Sequence, residues 1–107
     1  MNIMPPEGLA DFAPITQGGA AMTGASVQVC GADPSRVALI LFGSVGTSTL
    51  APIGGAVTAG GMPVGPTLPP VILTWADHGP LVNSAWFGTG AGVNSVGFFA
   101  VRYTPRL

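Results

Sequence analysis

The residues able to do chemistry in this chain are few: one His, one Cys, one Tyr, four carboxylates and three Arg among 107 residues, with no Lys. Asp77-His78 is the only adjacent acid–base pair, and Ser84 lies shortly downstream. Together they hold the residue types of a Ser-His-Asp relay for acyl transfer. Their spacing argues against it, because neighbours on an extended chain point to opposite faces and Asp77 would not orient the imidazole. Asp77-His78-Gly79-Pro80 reads more simply as a hairpin turn, in which Asp77 bonds local backbone and Gly79 relieves strain.

Other site types find even less material. Gly88-Thr89-Gly90-Ala91-Gly92-Val93 is superficially like a dinucleotide loop, but Val93 stands where the third Gly belongs and a strand, not a helix, comes next. It is expected to be a flexible hairpin connection. His78 is the sole imidazole, and no Asp-x-Asp-x-Asp run offers a calcium site. Cys30 at a strand end reads as a small core residue. No catalytic residue, metal or cofactor is expected, and the chain is read as a non-enzyme. Trp75, Trp86 and Phe87 could form a platform for sugar rings, yet alternating aromatics are commonly core, and only Asn83, Asn94 and Asp77 lie near in sequence to bond hydroxyls. Arg36 opens the core strand, while Arg102 and Arg106 lie at the chain's end. Each is expected either to pair with Asp33, Asp77 or a neighbouring subunit, or to sit as a solvated strand end.

Composition sets the frame for these residues. Only 7% of the chain is charged, against about 25% in an average soluble domain. The net charge of -1 leaves no basic stripe for phosphates, so nucleic-acid binding is excluded. The mean hydropathy of +0.58 raises the question of a membrane span. However, the longest clean apolar run, Val37-Ala38-Leu39-Ile40-Leu41-Phe42, is far short of the ~18–20 residues a spanning helix needs, and Gly43, Gly46 and Pro52 break up the stretch beyond it. No secretory signal is read at residues 1–7, and a single Cys excludes an internal disulfide framework.

The 17 Gly and 11 Pro leave little room for helices, while 48% apolar residues argue against disorder. Short strands with many turns are expected. Residues 26–30 alternate polar and apolar, Gly31-Ala32-Asp33-Pro34-Ser35 forms a turn, and 36–42 is apolar on both faces, as in the middle of a packed sheet. Further strands are expected at 47–53, 56–59, 71–75 and 95–103, with 81–87 in the same series. The Pro-rich stretch 62–70 is excluded as a central strand. The fold class is therefore all-β, an antiparallel β-sandwich or jelly-roll-like barrel with an extended N-terminal arm. The arm occupies 1–25 and the sandwich domain 26–107. The arm's apolar members Ile3, Leu9, Phe12 and Ile15 lack periodicity and are expected against a neighbour, or in a frayed terminus.

A monomer of this composition would cover itself with small and apolar side chains and have little colloidal repulsion. Such a surface suits protein contact, since obligate interfaces are depleted in charge. A homo-oligomer or a larger scaffold is expected.

At residues 32–41, Ala-Asp-Pro-Ser-Arg-Val-Ala-Leu-Ile-Leu resembles the A-[ND]-P-x-R-x-x-L-x-[IL] opening strand of small structural proteins in tailed-bacteriophage virions. Residues 57–63 resemble the next connection in those chains. Ala76-Asp77-His78-Gly79-Pro80-Leu81-Val82, with Trp86-Phe87, resembles their second half. The likeness spans about 27–103, with Gly43 where the family has Asn and no counterpart for residues 1–25. It implies a capsid decoration or cement protein, often a homotrimer, assembled in the host bacterial cytoplasm. On the capsid surface of the virion it would bridge major capsid protein subunits. Ile3, Leu9, Phe12, Ile15, Arg36, Arg102 and Arg106 are the candidate partner-contact residues. The alternative is a head- or tail-fibre module for host carbohydrate, with Trp75, Trp86 and the turn at His78 as its surface.

Overall fold

The structure is a computed structural model and describes residues 10–12, 16–52 and 61–105. Within these the chain is a sandwich of two antiparallel sheets. Its strands are β1 (Ala10–Phe12), β2 (Thr16–Ala21), β3 (Val27–Cys30), β4 (Arg36–Val45), β5 (Ser48–Ala51), β6 (Met62–Val64), β7 (Val71–Thr74), β8 (Trp86–Thr89) and β9 (Ser95–Pro105). One helical turn, α1 (Trp75–His78), and a 3-10 turn over Gly79–Asn83 lie between β7 and β8. In the first sheet β1 and β2 both pair with β9, which pairs with β4, which pairs with β7; the second sheet runs β3-β8-β5-β6.

The core arises from period-two alternation. Along β4, Leu39 and Leu41 point inward and are completely buried, and Leu73 of β7 with Val96 and Ala100 of β9 extend the same layer. Leu39 stands opposite Leu73 and Ala100, and Leu41 opposite Val71 and Phe98. Leu50, Val64 and Trp86 close the core from the second sheet, with Met22 and Val82 sealing its ends. The expectation that residues 36–42 are buried on both faces is met on one face only. Ala38, Ile40 and Phe42 are half-buried on the outer side, covered by their sheet neighbours rather than by a further layer among the described residues.

Other expectations change once the strands are placed. Of residues 1–25, read as an arm, Ala10–Phe12 and Thr16–Ala21 lie antiparallel along β9, and Met22 is in the core. The run Thr16-Gln17-Gly18-Gly19-Ala20-Ala21 lacks the apolar alternation that announces a strand. Its glycines are what let it lie flush: a Cβ on Gly19 would come within 2.6 Å of the Val96 carbonyl oxygen. The stretches 77–80 and 88–92 are not hairpin turns. Each carries the chain from one sheet to the other, β7 to β8 and β8 to β9. Met62–Val64 is a strand at the edge of its sheet, the position in which a sheet tolerates a proline such as Pro63. The strand expected at 56–59 lies outside the described residues.

At Gly43 the two sheets meet backbone to backbone. A Cβ there would fall 2.5 Å from Gly65 Cα and 2.6 Å from Gly65 N, beside the end of β6. This gives a packing reason for glycine at this position. Gly43→Ala is expected to destabilise the sandwich by about 1–3 kcal/mol through overpacking, measured as a fall in the urea midpoint; an unchanged midpoint would show that the sheets separate freely at this end.

Candidate functional site

The scarce charges converge on one end of the sandwich. Arg36, at the start of β4, is only 4% exposed. Its Nε donates to Val82 O at 2.6 Å, Nη1 to Gly31 O at 3.1 Å and Nη2 to Ser84 O at 2.6 Å. Three carbonyls on two distant backbone segments thus share one guanidinium. Its expected place is a partner interface; in the fold its fork is occupied by this chain's own carbonyls and it is almost wholly buried, so its direct hydrogen bonds serve the fold.

Arg102 lies across from Arg36 in the β4–β9 register and is half-exposed. Its Nε is 2.7 Å from Asp33 Oδ2 and donates to Ser35 Oγ at 3.2 Å. The other Asp33 oxygen accepts from Ser35 N–H at 3.0 Å and Ser35 Oγ–H at 2.8 Å. Burial acts to raise the Asp33 pKa, but the Ser35 donors, with Arg102 and Arg36, more than offset it and hold the carboxyl below its ordinary value. Cys30 is buried nearby, and burial pushes its thiol up despite the pull of Arg36. Phe12 lies in β1 opposite Tyr103; Ile3, Leu9, Ile15 and Arg106 lie outside the described residues.

The relay residues are not assembled. His78 Nδ1 accepts the Thr74 N–H at 3.1 Å, closing the α1 turn, while Asp77 N–H donates to Thr74 Oγ1 at 3.3 Å and Ser84 Oγ donates to Pro80 O at 3.3 Å. The His78 and Ser84 side chains thus serve local backbone, and no hydrogen bond joins the three to one another. Among the described residues no three His, Cys, Asp or Glu side chains gather as metal ligands, and no helix is long and apolar enough to cross a membrane. The sugar platform is divided. Trp86 is completely buried with Nε1 donating to Leu81 O at 3.1 Å, whereas Trp75 is 52% exposed.

The second notable surface is the outer face of the first sheet, which composition alone did not locate. Ile72, Ile40, Phe99 and Gln17 form one cross-strand row, and Thr74, Ala38 and Val101 another. Phe42 stacks on Phe99 with ring centroids 5.3 Å apart and lies over Gly97, where a Cβ would meet the ring at 2.6 Å. Ile72 is 56% and Phe99 39% exposed. Residues 37–45, 71–74 and 95–101, which build most of this face, include no charged side chain. Compared with known proteins, the chain matches no family model, no curated protein and no solved structure.

Two outcomes test the charged end. Arg36→Met orphans three carbonyls and is expected to cost about 3 kcal/mol or more, seen as a lower urea midpoint; a near-neutral result would mean water replaces the guanidinium. Because the native Asp33 pKa is depressed, its contribution is full above the unfolded value of about 3.9 and is lost as pH falls through the lower native value. Asp33→Asn is therefore expected to be less stable than wild type near pH 7, and the gap to narrow below about pH 4. A gap that stays constant down to acid would remove Asp33 from the pH dependence.

Proposed function

We propose that this chain is a structural protein of a bacteriophage virion, docked through the outer face of its first sheet onto major capsid protein and stabilising the shell. The observation that carries this reading is that face: a contiguous, uncharged surface holding Ile40, Phe42, Ile72 and Phe99, with Ile72 more than half exposed. Isolated exposed apolar residues are ordinary, but a patch built across neighbouring strands marks an interaction surface. The resemblance of residues 32–41 and 76–82 to virion structural proteins supplies the kind of partner. Self-association, as a trimer, belongs to the same proposal.

Such a protein works by mass action. Each copy binds assembled capsid in preference to free subunits, so occupancy stabilises the shell in proportion to the logarithm of free protein over its dissociation constant. Association by an uncharged face depends on shape and apolar area, with polar groups at the rim. The rigid sheet needs little ordering on contact, which lowers the entropic cost of binding. A carbohydrate module remains the second reading, and Trp75 is the exposed aromatic it would use.

Placing one carboxylate in the middle of this face separates docking from folding. Phe99→Asp and Ile72→Asp are each expected to weaken capsid binding at least ~100-fold, the equivalent of burying an unpaired charge for roughly 3 kcal/mol. Thermal unfolding of free Ile72→Asp should shift little, while Phe99→Asp also loses the Phe42 stack and should unfold somewhat earlier, so Ile72→Asp carries the separation. Cosedimentation with purified capsids measures the first effect, and wild-type occupancy by both variants would overturn the assignment of this face. On stained gels of virions the protein should appear in proportion to the capsid protein; a few copies per particle would favour a fibre position instead.

A further inference from the structure

The charged end contains a feature that docking through the outer sheet face leaves unused. A cleft of about 430 Å³ opens between the start of β2, the end of β3 and β9, with Thr16, Cys30, Asp33, Arg36, Phe98 and Arg102 among its walls. Two guanidiniums and one carboxylate line it, a surplus of one positive charge. Asp33 does not cancel that surplus twice over, because both of its oxygens are already engaged, one by Ser35 and the other by Arg102. Arg36 is hydrogen-bonded but not neutralised, since all three of its acceptors are carbonyls. In a water-poor setting its field reaches further than an exposed charge would. Arg102 is bound to Asp33 and Ser35 through its Nε, and its side chain is still 46% exposed.

We propose that this cleft is a binding site for a carboxylate carried on an apolar stem. The charge surplus matches a monoanion; a dianionic phosphate would leave net negative charge beside Asp33. The half-exposed, planar guanidinium of Arg102 suits the two oxygens of a carboxylate. Phe98 and Ala100 give the cleft an apolar wall on which a short aliphatic stem can lie. This chemistry is shared by a Glu side chain of a partner protein and by a free short-chain acid. The site is at the end of the sandwich, apart from the outer sheet face, so its failure leaves the docking proposal standing.

The test titrates the full chain with sodium propionate at constant ionic strength held with chloride, following the arginine Nε–Hε signals by ¹H–¹⁵N NMR. Saturable shifts at Arg102 and Arg36 are expected with propionate and none with propionamide. Arg102→Gln should weaken the apparent affinity at least tenfold, and Arg102→Lys, which keeps the charge and loses the fork, should fall between; the backbone spectrum of each reports that the sandwich is intact. Propionate shifts no larger than those from chloride, or Arg102→Gln binding as wild type does, would overturn the site. An acetylated, amidated peptide with one Glu, set against its Gln twin, separates the sources. Tighter binding of the Glu peptide than of propionate assigns the carboxylate to a protein partner, and the reverse order assigns it to a free acid.

Discussion

The guanidinium of Arg36 holds together two stretches of backbone that are far apart in sequence: Gly31 after β3, and Val82 and Ser84 at the end of the 3-10 turn and just before β8. Burying a cation without its own carboxylate is costly unless its donors are satisfied. Here the acceptors are the carbonyls that a sheet-to-sheet crossing would otherwise leave unpaired. Asn83 completes the knot, with Nδ2 donating to Asp33 O at 3.0 Å and Arg36 O at 2.7 Å, while Asp33 N–H donates to Asn83 O at 2.9 Å. The crossing segments 31–36 and 82–84 are thus fixed to each other side by side. Trp86, the largest core residue, takes its position from the same place, because its indole N–H bonds Leu81 O.

With one end tied in this way, the remainder of the sandwich can be built almost without charge. The opposite end uses a neutral version of the device: Asn94, 8% exposed, donates to Thr47 O at 2.8 Å and its backbone carbonyl accepts from Met22 N–H. Gly46 at φ +65 leaves the room that the Asn94 side chain fills. Polar side chains therefore secure the crossings, and interdigitated Leu, Val and Trp hold the sheets between them. Because the inner face of β4 alone supplies its share of the core, Ile40, Phe42 and Phe99 on the other side are not required for closure and are available to a partner.

The strands expected at 26–30, 36–42, 47–53, 71–75 and 95–103 lie close to β3, β4, β5, β7 and β9; 26–30 was legible by its alternation and 36–42 by its apolar run, although that run is buried on one face only. The turn at Asp33-Pro34-Ser35 was legible for a local reason, Asp33 capping Ser35. What could not be read is decided by distant pairing. β2 has no periodic signal, since its fit depends on glycines meeting β9. The crossings at 77–80 and 88–92 contain ordinary turn residues, and nothing local distinguishes a hairpin from a change of sheet. Trp75 and Trp86 are the same residue type in similar surroundings, yet one is half exposed and the other buried. Arg36 carried a charge that argued for the surface, while its three acceptors became neighbours only through the fold.

Charge scarcity then has two consequences that belong to different parts of the molecule. On the outer sheet face it removes the desolvation penalty that ionic groups would impose on contact, so apolar area there is not offset by stripping charges of water. It also removes long-range steering, so encounter through that face would proceed at the unsteered rate and change little with salt. At the charged end the reverse holds: two guanidiniums beside one carboxylate make a net positive cleft, whose pull on an anion would be screened by salt. A neutral face and a single polarised end are therefore compatible in a small chain, because the residues that secure the fold lie inside and at the ends of the sandwich and leave the outer face of one sheet free of that task.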